Sequence, residues 1–67
     1  MDVISILKRR RKYLGISQTD LSQMSDLSIA TIKDIERGVA NPSLETLTKI
    51  CDVLGMELGC SVRETVL

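Results

Sequence analysis

The sequence predicts a small all-α domain of four helices followed by a short C-terminal β-strand. Apolar residues recur at spacings of three and four over most of the chain, which is typical of helices that bury one face. Tyr13 is the only aromatic residue, so Leu, Ile, Val and Met must form the core, and this favours packed helices over a sheet. After Gly55 the apolar period changes to two, which indicates a strand. The chain therefore divides into a helical domain, 1–55, and a tail, 56–67.

The first two helices are short and end at clear stop signals. Helix one is expected between Val3 and Leu14, where Gly15 stops it. Ser17 is a good N-cap for helix two, which is expected to end near Met24. The inward faces of these helices are expected to consist of Ile4, Leu7, Arg11, Leu14, Leu21 and Met24.

The third and fourth helices each follow a serine that can act as an N-cap. Ser28 begins a helix that ends at Gly38, and Ser43 begins a helix that ends at Gly55. A tight connection of three residues, 25–27, joins helix two to helix three. The inward faces are expected to consist of Ile32 and Ile35 on helix three and of Leu44, Leu47, Ile50, Cys51 and Leu54 on helix four.

Composition excludes several classes of protein. With 67 residues the chain supports one modest core, which is too small to shape an enzyme cleft. It has no His, and its two cysteines are not in a CxxC motif, so we expect no metal, no cofactor and no catalytic residue. No signal peptide, membrane span or small-molecule site is evident, and we expect a cytoplasmic protein with reduced thiols.

Two short helices joined by a tight turn, with an outward face on the second helix, have the geometry that fits the major groove of DNA. A resemblance to the Cro/repressor-type (XRE-type) helix-turn-helix family lies in the segment ISQTDLSQMSDLSIATIKDIERGVANPSLETLTKICDVLG. The family pattern has Ser-Gln opening helix two, Glu-Arg-Gly closing the recognition helix and Asn-Pro-Ser-Leu-Glu-Thr-Leu opening helix four. The resemblance covers about Ile4 to Leu54. It implies a compact lambda-repressor-like fold and a transcription regulator, most simply a repressor, that binds double-stranded DNA.

The resemblance places the candidate DNA contacts in and around the third helix. Asp34 suits the amino group of cytosine, and the small apolar residues near the start of the helix suit thymine methyl groups. Arg37 and Asn41 match positions that hold phosphate, and Gln18 matches a position that bonds phosphate and braces the recognition helix. The full set is Gln18, Ser28, Ile29, Ala30, Thr31, Lys33, Asp34, Arg37 and Asn41.

Other matched positions are structural. Arg11 and Glu36 match an internal ion pair of the family, and Arg11 lies on a buried face, where a charge needs a partner. Asp26 replaces the usual glycine of the turn, where we expect a left-handed and somewhat strained backbone. Ser22 replaces the usual alanine, and its hydroxyl is expected to bond a carbonyl group.

Charge favours a dimer. From Gln18 to Asn41 four acidic residues oppose two basic ones, a net charge of −2, so one copy should bind DNA weakly and two copies should share a palindromic operator. The expected dimerisation element is the strand carrying Met56, Leu58, Cys60 and Val62, paired with a second copy; the alternative is a frayed tail.

Two other functions stay open. The tail resembles that of HipB-type antitoxins, which implies a toxin protein as partner and repression of the shared operon. The negative local charge also suits a protein-interaction module that does not bind specific DNA.

Overall fold

The computed structural model describes residues 2–59, and all of its regular structure is helical. The helices are α1 (Val3–Tyr13), α2 (Gln18–Ser25), α3 (Ile29–Glu36) and α4 (Leu44–Leu54). The predicted all-α class is confirmed, and the helix ends lie within one or two residues of those expected. Within the described range no helix has the length and apolar character needed to cross a membrane.

A side chain caps the first turn of every helix. Ser17, Ser28 and Ser43, the predicted N-caps, each accept a hydrogen bond from the backbone N–H three residues later, at 2.9, 3.1 and 3.2 Å. Asp2 does the same for α1 at 2.7 Å. At α2 the Asp20 carboxylate also accepts from the Ser17 backbone N–H at 3.1 Å, which completes a reciprocal capping box.

Each helix ends in the same motif. The chain turns through one residue of left-handed conformation, at Gly15, Asp26, Gly38 and Gly55. The next residue then donates its backbone N–H to the carbonyl five positions earlier, which satisfies an otherwise free helical carbonyl. These four bonds are Ile16 to Arg11 (3.2 Å), Leu27 to Ser22 (3.0 Å), Val39 to Asp34 (3.1 Å) and Met56 to Cys51 (2.9 Å).

The core lies where the helices meet. Helix α2 packs against α3 and α4, and α1 packs against the same two helices. Every helix contributes apolar side chains to one continuous cluster, as the helical periodicity predicts. Its buried members are Leu7, Leu21, Ile32, Ile35, Ile50, Cys51 and Leu54.

Three apolar residues that were expected to face inward are exposed instead. Leu14 is 40% exposed because α1 ends before it, and Leu44 is 71% exposed in the first turn of α4. Met24 is 60% exposed. The inward positions of α2 are occupied by Leu21 and by two small residues, Ser22 and Ser25. The predicted hydroxyl bond of Ser22 is present, to the Thr19 carbonyl at 2.7 Å.

The predicted C-terminal strand is absent over residues 56–59. A strand needs a second strand to pair with, and the other regular elements of the described chain are helices. Met56 packs against the core, whereas Leu58 is 38% exposed. Cys60 and Val62, the other members of the predicted dimerisation element, lie outside the described residues.

Candidate nucleic-acid interface

Helices α2 and α3 form a helix-turn-helix unit. Helix α2 ends at Ser25, and Asp26 turns the chain with φ 59° and ψ 34°. Leu27 packs toward the core, and Ser28 then caps α3. Since three residues separate the two helices, the turn holds α3 at a fixed angle to α2.

Helix α3 has one face in the core and one face in solvent. Ile32 and Ile35 are 1% and 3% exposed and anchor the helix. The opposite side forms the wall of a shallow groove that begins at Gln18 on α2. Its lining consists of Gln18, Ala30, Lys33, Asp34 and Arg37, all of which are candidate DNA contacts.

Glu36 ties α3 to the two preceding helices. Its carboxylate accepts from Arg11 Nε at 2.6 Å and from Arg11 Nη2 at 2.9 Å, a two-pronged ion pair with both side chains at most 10% exposed. Gln18 Nε2 donates to the same carboxylate at 3.2 Å, and Arg11 Nη1 donates to the Ile16 carbonyl at 2.8 Å. Arg11 and Glu36 thus form the expected internal pair, and Gln18 links α2 to α3 through the same carboxylate.

The pKa of Glu36 reflects this arrangement. Burial alone would raise the pKa of its carboxyl group, but the hydrogen bonds from Arg11 and Gln18 outweigh that effect, with a smaller contribution from the charge of Lys8. The pKa therefore lies below its ordinary value of 4.5. At neutral pH Glu36 is ionised and the brace is intact.

Asp34 and Arg37 contact each other. Arg37 Nη2 donates to Asp34 Oδ1 at 2.7 Å, and the side chains are 68% and 45% exposed. Sequence reasoning assigned separate roles to these residues and missed the pair. Their opposite charges at a spacing of three on one helix were the available signal.

The remaining candidate contacts are distributed around α3. The Ser28 hydroxyl receives the Thr31 N–H and lies 2.7 Å from the Thr31 hydroxyl, so both side chains take part in the cap of the helix. Ile29 is 37% exposed. Asn41 is exposed in the segment between α3 and α4, four positions beyond Arg37.

The local charge is less negative than its sequence count suggests. Four acidic and two basic residues lie between Gln18 and Asn41, but Arg11 neutralises Glu36 from outside this range. The groove itself carries two cations, Lys33 and Arg37, and one anion, Asp34. The groove lining therefore has a net charge of +1.

Known proteins resemble the chain in this region. A family model described as helix-turn-helix matches residues 7–59. The chain is 36% identical over its full length to an immunity repressor protein of Bacillus phage phi105, of which it covers 46%. It is 43% identical, over 85% of its length, to an uncharacterized HTH-type transcriptional regulator of Haemophilus influenzae, of which it covers 58%. It is 32% identical, over 84% of its length, to the HTH-type transcriptional regulator DdrOP3 of Deinococcus deserti, of which it covers 43%.

The chain spans about half the length of these relatives. The match of the family model includes α2, the turn, α3 and α4, and it ends where the described residues end. On this agreement between fold and sequence, the chain belongs to the helix-turn-helix family.

Proposed function

We propose that this domain binds double-stranded DNA in a sequence-specific manner and regulates transcription as a repressor. The observation that carries the proposal is the exposed face of α3, held in place by the contacts of Glu36 with Arg11 and Gln18. A helix that is fixed in orientation and has small and polar groups on its free face suits the major groove. Three relatives are named as a repressor or as transcriptional regulators, which supports the same role.

The residues of the groove divide by the kind of contact they suit. Asp34 is the candidate for reading a base, since a carboxylate accepts from the amino group of cytosine, and Ile29 and Ala30 suit thymine methyl groups. Lys33, Arg37 and Asn41 suit phosphate or the edge of the groove.

The proposal includes a homodimer on a palindromic operator. One groove with two cations offers few phosphate contacts, so two domains on two half-sites would supply the affinity that one lacks. An exposed apolar surface near the end of the described chain supports this assembly. Ile6, Tyr13 and Met56 line one groove there together with Arg9 and Arg10, and Leu58 is also exposed.

Selection of bound sites from random duplex DNA tests the proposal. The expected product is a sequence with two related half-sites about one helical turn apart, bound with strong dependence on salt. Equal affinity for the selected duplex and a scrambled duplex would overturn sequence-specific binding. A selected sequence with a single half-site would overturn the dimer and leave DNA binding standing.

A further inference from the structure

Asp34 and Arg37 are placed so that the state of one affects the other. They line the same groove on α3, and their side chains are bonded at 2.7 Å. Both are substantially exposed, at 45% and 68%, so either can reach a ligand in the groove. The residue suited to a base and the residue suited to a phosphate therefore share an ion pair in the unbound domain.

Bound DNA acts in opposite ways on the charges of Asp34 and Arg37. Phosphates attract the Arg37 guanidinium and repel the Asp34 carboxylate. When water leaves the interface, the carboxylate still needs a hydrogen-bond donor, because a buried anion without one is costly. Arg37 is one available donor, and the amino group of a cytosine is another.

We propose that Asp34 controls whether Arg37 contacts the DNA backbone. At a site with cytosine opposite Asp34, the amino group of the base donates to the carboxylate in place of Arg37, and Arg37 moves to a phosphate. At other sites the ion pair between Asp34 and Arg37 persists, and the domain makes one phosphate contact fewer. This inference rests on the proposed placement of α3 in the major groove, and it makes Arg37 part of sequence discrimination.

The strength of the pair suits such an exchange. An exposed ion pair shifts an equilibrium by no more than about fivefold, so one base contact is enough to replace it. Lys33 is the other cation of the groove, but it directly precedes Asp34 on the helix, and adjacent residues do not face each other. Arg37, three positions later, lies on the same side as Asp34.

Binding measurements on two duplexes test the exchange. The probes are the duplex selected from random DNA by the wild-type protein and a scrambled version of it, each measured over a range of salt. The variants are Asp34→Asn, Arg37→Gln and the double variant. Glu45→Gln is the matched control, because it removes the acid of another exposed ion pair, with Lys49 on α4.

Arg37→Gln is expected to weaken binding to the selected duplex several-fold and to lower the salt slope there by about one unit. On the scrambled duplex its effect is expected to stay within about twofold, since Arg37 stays on Asp34 there. Asp34→Asn is expected to strengthen binding to the scrambled duplex several-fold. This gain should vanish in the double variant and be absent from Glu45→Gln.

Equal weakening of both duplexes by Arg37→Gln would overturn the inference, as would a gain from Asp34→Asn that persists in the double variant or is matched by Glu45→Gln. If one of these contradicting results occurs while the wild-type protein still discriminates the two duplexes, only the exchange is overturned and sequence-specific DNA binding stands. Failure of the wild-type protein to discriminate would overturn both. Melting temperatures close to that of the wild type verify that the variants are folded.

Discussion

Glu36 lies where three helices meet. Its carboxylate accepts hydrogen bonds from Arg11 on α1 and Gln18 on α2, while its own backbone belongs to α3. The guanidinium of Arg11 uses its third nitrogen to hold the Ile16 carbonyl in the connection between α1 and α2. These bonds join α3 to both preceding helices, and with the buried Ile32 and Ile35 they fix the direction in which α3 presents its free face.

Arg11→Ala should destabilise the domain by roughly 3–5 kcal/mol, because it leaves the Glu36 carboxylate buried without its main partner. DNA binding should be lost only as the protein unfolds. Thermal melting and DNA binding of the variant measure both effects. Arg9→Ala, which removes an exposed neighbour on α1, should change stability by less than about 0.5 kcal/mol. An unchanged melting temperature with lost binding would show that Arg11 contacts DNA.

The stability that Glu36 supplies should depend on pH. Since its pKa is lower in the folded protein than its ordinary value of 4.5, the unfolded chain binds more protons in that range. The advantage of the wild type over Glu36→Gln should be full above about pH 5 and should shrink as the pH falls through the folded pKa. Urea unfolding of both proteins from neutral to acid pH measures this difference. Other acidic groups are common to both proteins and cancel, so a difference that stays constant with pH would contradict the expectation.

Asp26→Gly should stabilise the domain by about 0.5–1 kcal/mol. Asp26 is the only described non-glycine residue with positive φ, and glycine removes the steric cost of that conformation. Chemical unfolding measures the change. Asp52→Gly is the control, because glycine is a poorer helix former than aspartate and should cost about 0.3 kcal/mol inside α4. A lower melting temperature for Asp26→Gly would mean that the aspartate side chain stabilises the fold by more than the positive φ destabilises it.

At the scale of the element, every helix is delimited by contacts within its own segment. A side-chain cap begins each one, and a left-handed residue followed by a backbone bond ends each one. These contacts span three to five positions, so they define where each helix begins and ends. Helices this short owe most of their stability to packing against one another.

The end of α4 is an exception, because α1 helps to close it. Arg10 Nε donates to the Leu54 carbonyl at 3.1 Å, and its guanidinium lies 5.4 Å from the centre of the Tyr13 ring. Arg10→Ala should therefore destabilise the domain by about 1 kcal/mol. Lys12→Ala, an exposed change on the same helix, is the control. Equal unfolding free energies for the two variants would show that the bond from Arg10 to the Leu54 carbonyl does not stabilise the domain.

At the scale of the whole molecule, a net charge of zero conceals an uneven distribution. Five of the nine basic residues lie in the run Lys8–Lys12, and the rest of the chain carries four basic residues against nine acidic ones. Within this run Arg11 is buried, and Arg10 is part-buried at the end of α4. The groove on α3 carries two cations, Lys33 and Arg37, and this small number is the physical reason for proposing two copies on one operator.

Leu58→Ser should weaken binding to a duplex with two half-sites while leaving the melting temperature of the dilute protein unchanged. Leu58 is 38% exposed and lies two positions after Met56, which lines the apolar groove proposed to join two copies, so its replacement costs the single domain little. Leu44→Ser is the matched control, since Leu44 is more exposed and lies at the start of α4. Sedimentation and binding measurements compare the two. Equal sedimentation and equal DNA affinity of the two variants would show that Leu58 does not contribute to the dimer interface.

The sequence alone determined the number of helices, their ends and the family. Capping serines, turn residues and apolar periodicity act over a few neighbouring positions, so they can be recognised from the sequence. The internal pair of Arg11 and Glu36 was also expected, from an inward charge and the resemblance to a known pattern. A strand from Met56 to Val62 was expected from alternation alone, and it is absent over the described part, 56–59, because alternation does not supply a partner for its backbone.

The tertiary structure decided which side chains meet across the chain. Arg10 reaches a carbonyl 44 positions away, and no local signal identifies that contact. Met24 is exposed because Leu21, Ser22 and Ser25 take the inward positions of the same short helix. Asp34 holds Arg37 because helical geometry brings their charges together on the free face of α3. Local interactions set where each helix begins and ends, whereas packing in three dimensions set which face it presents.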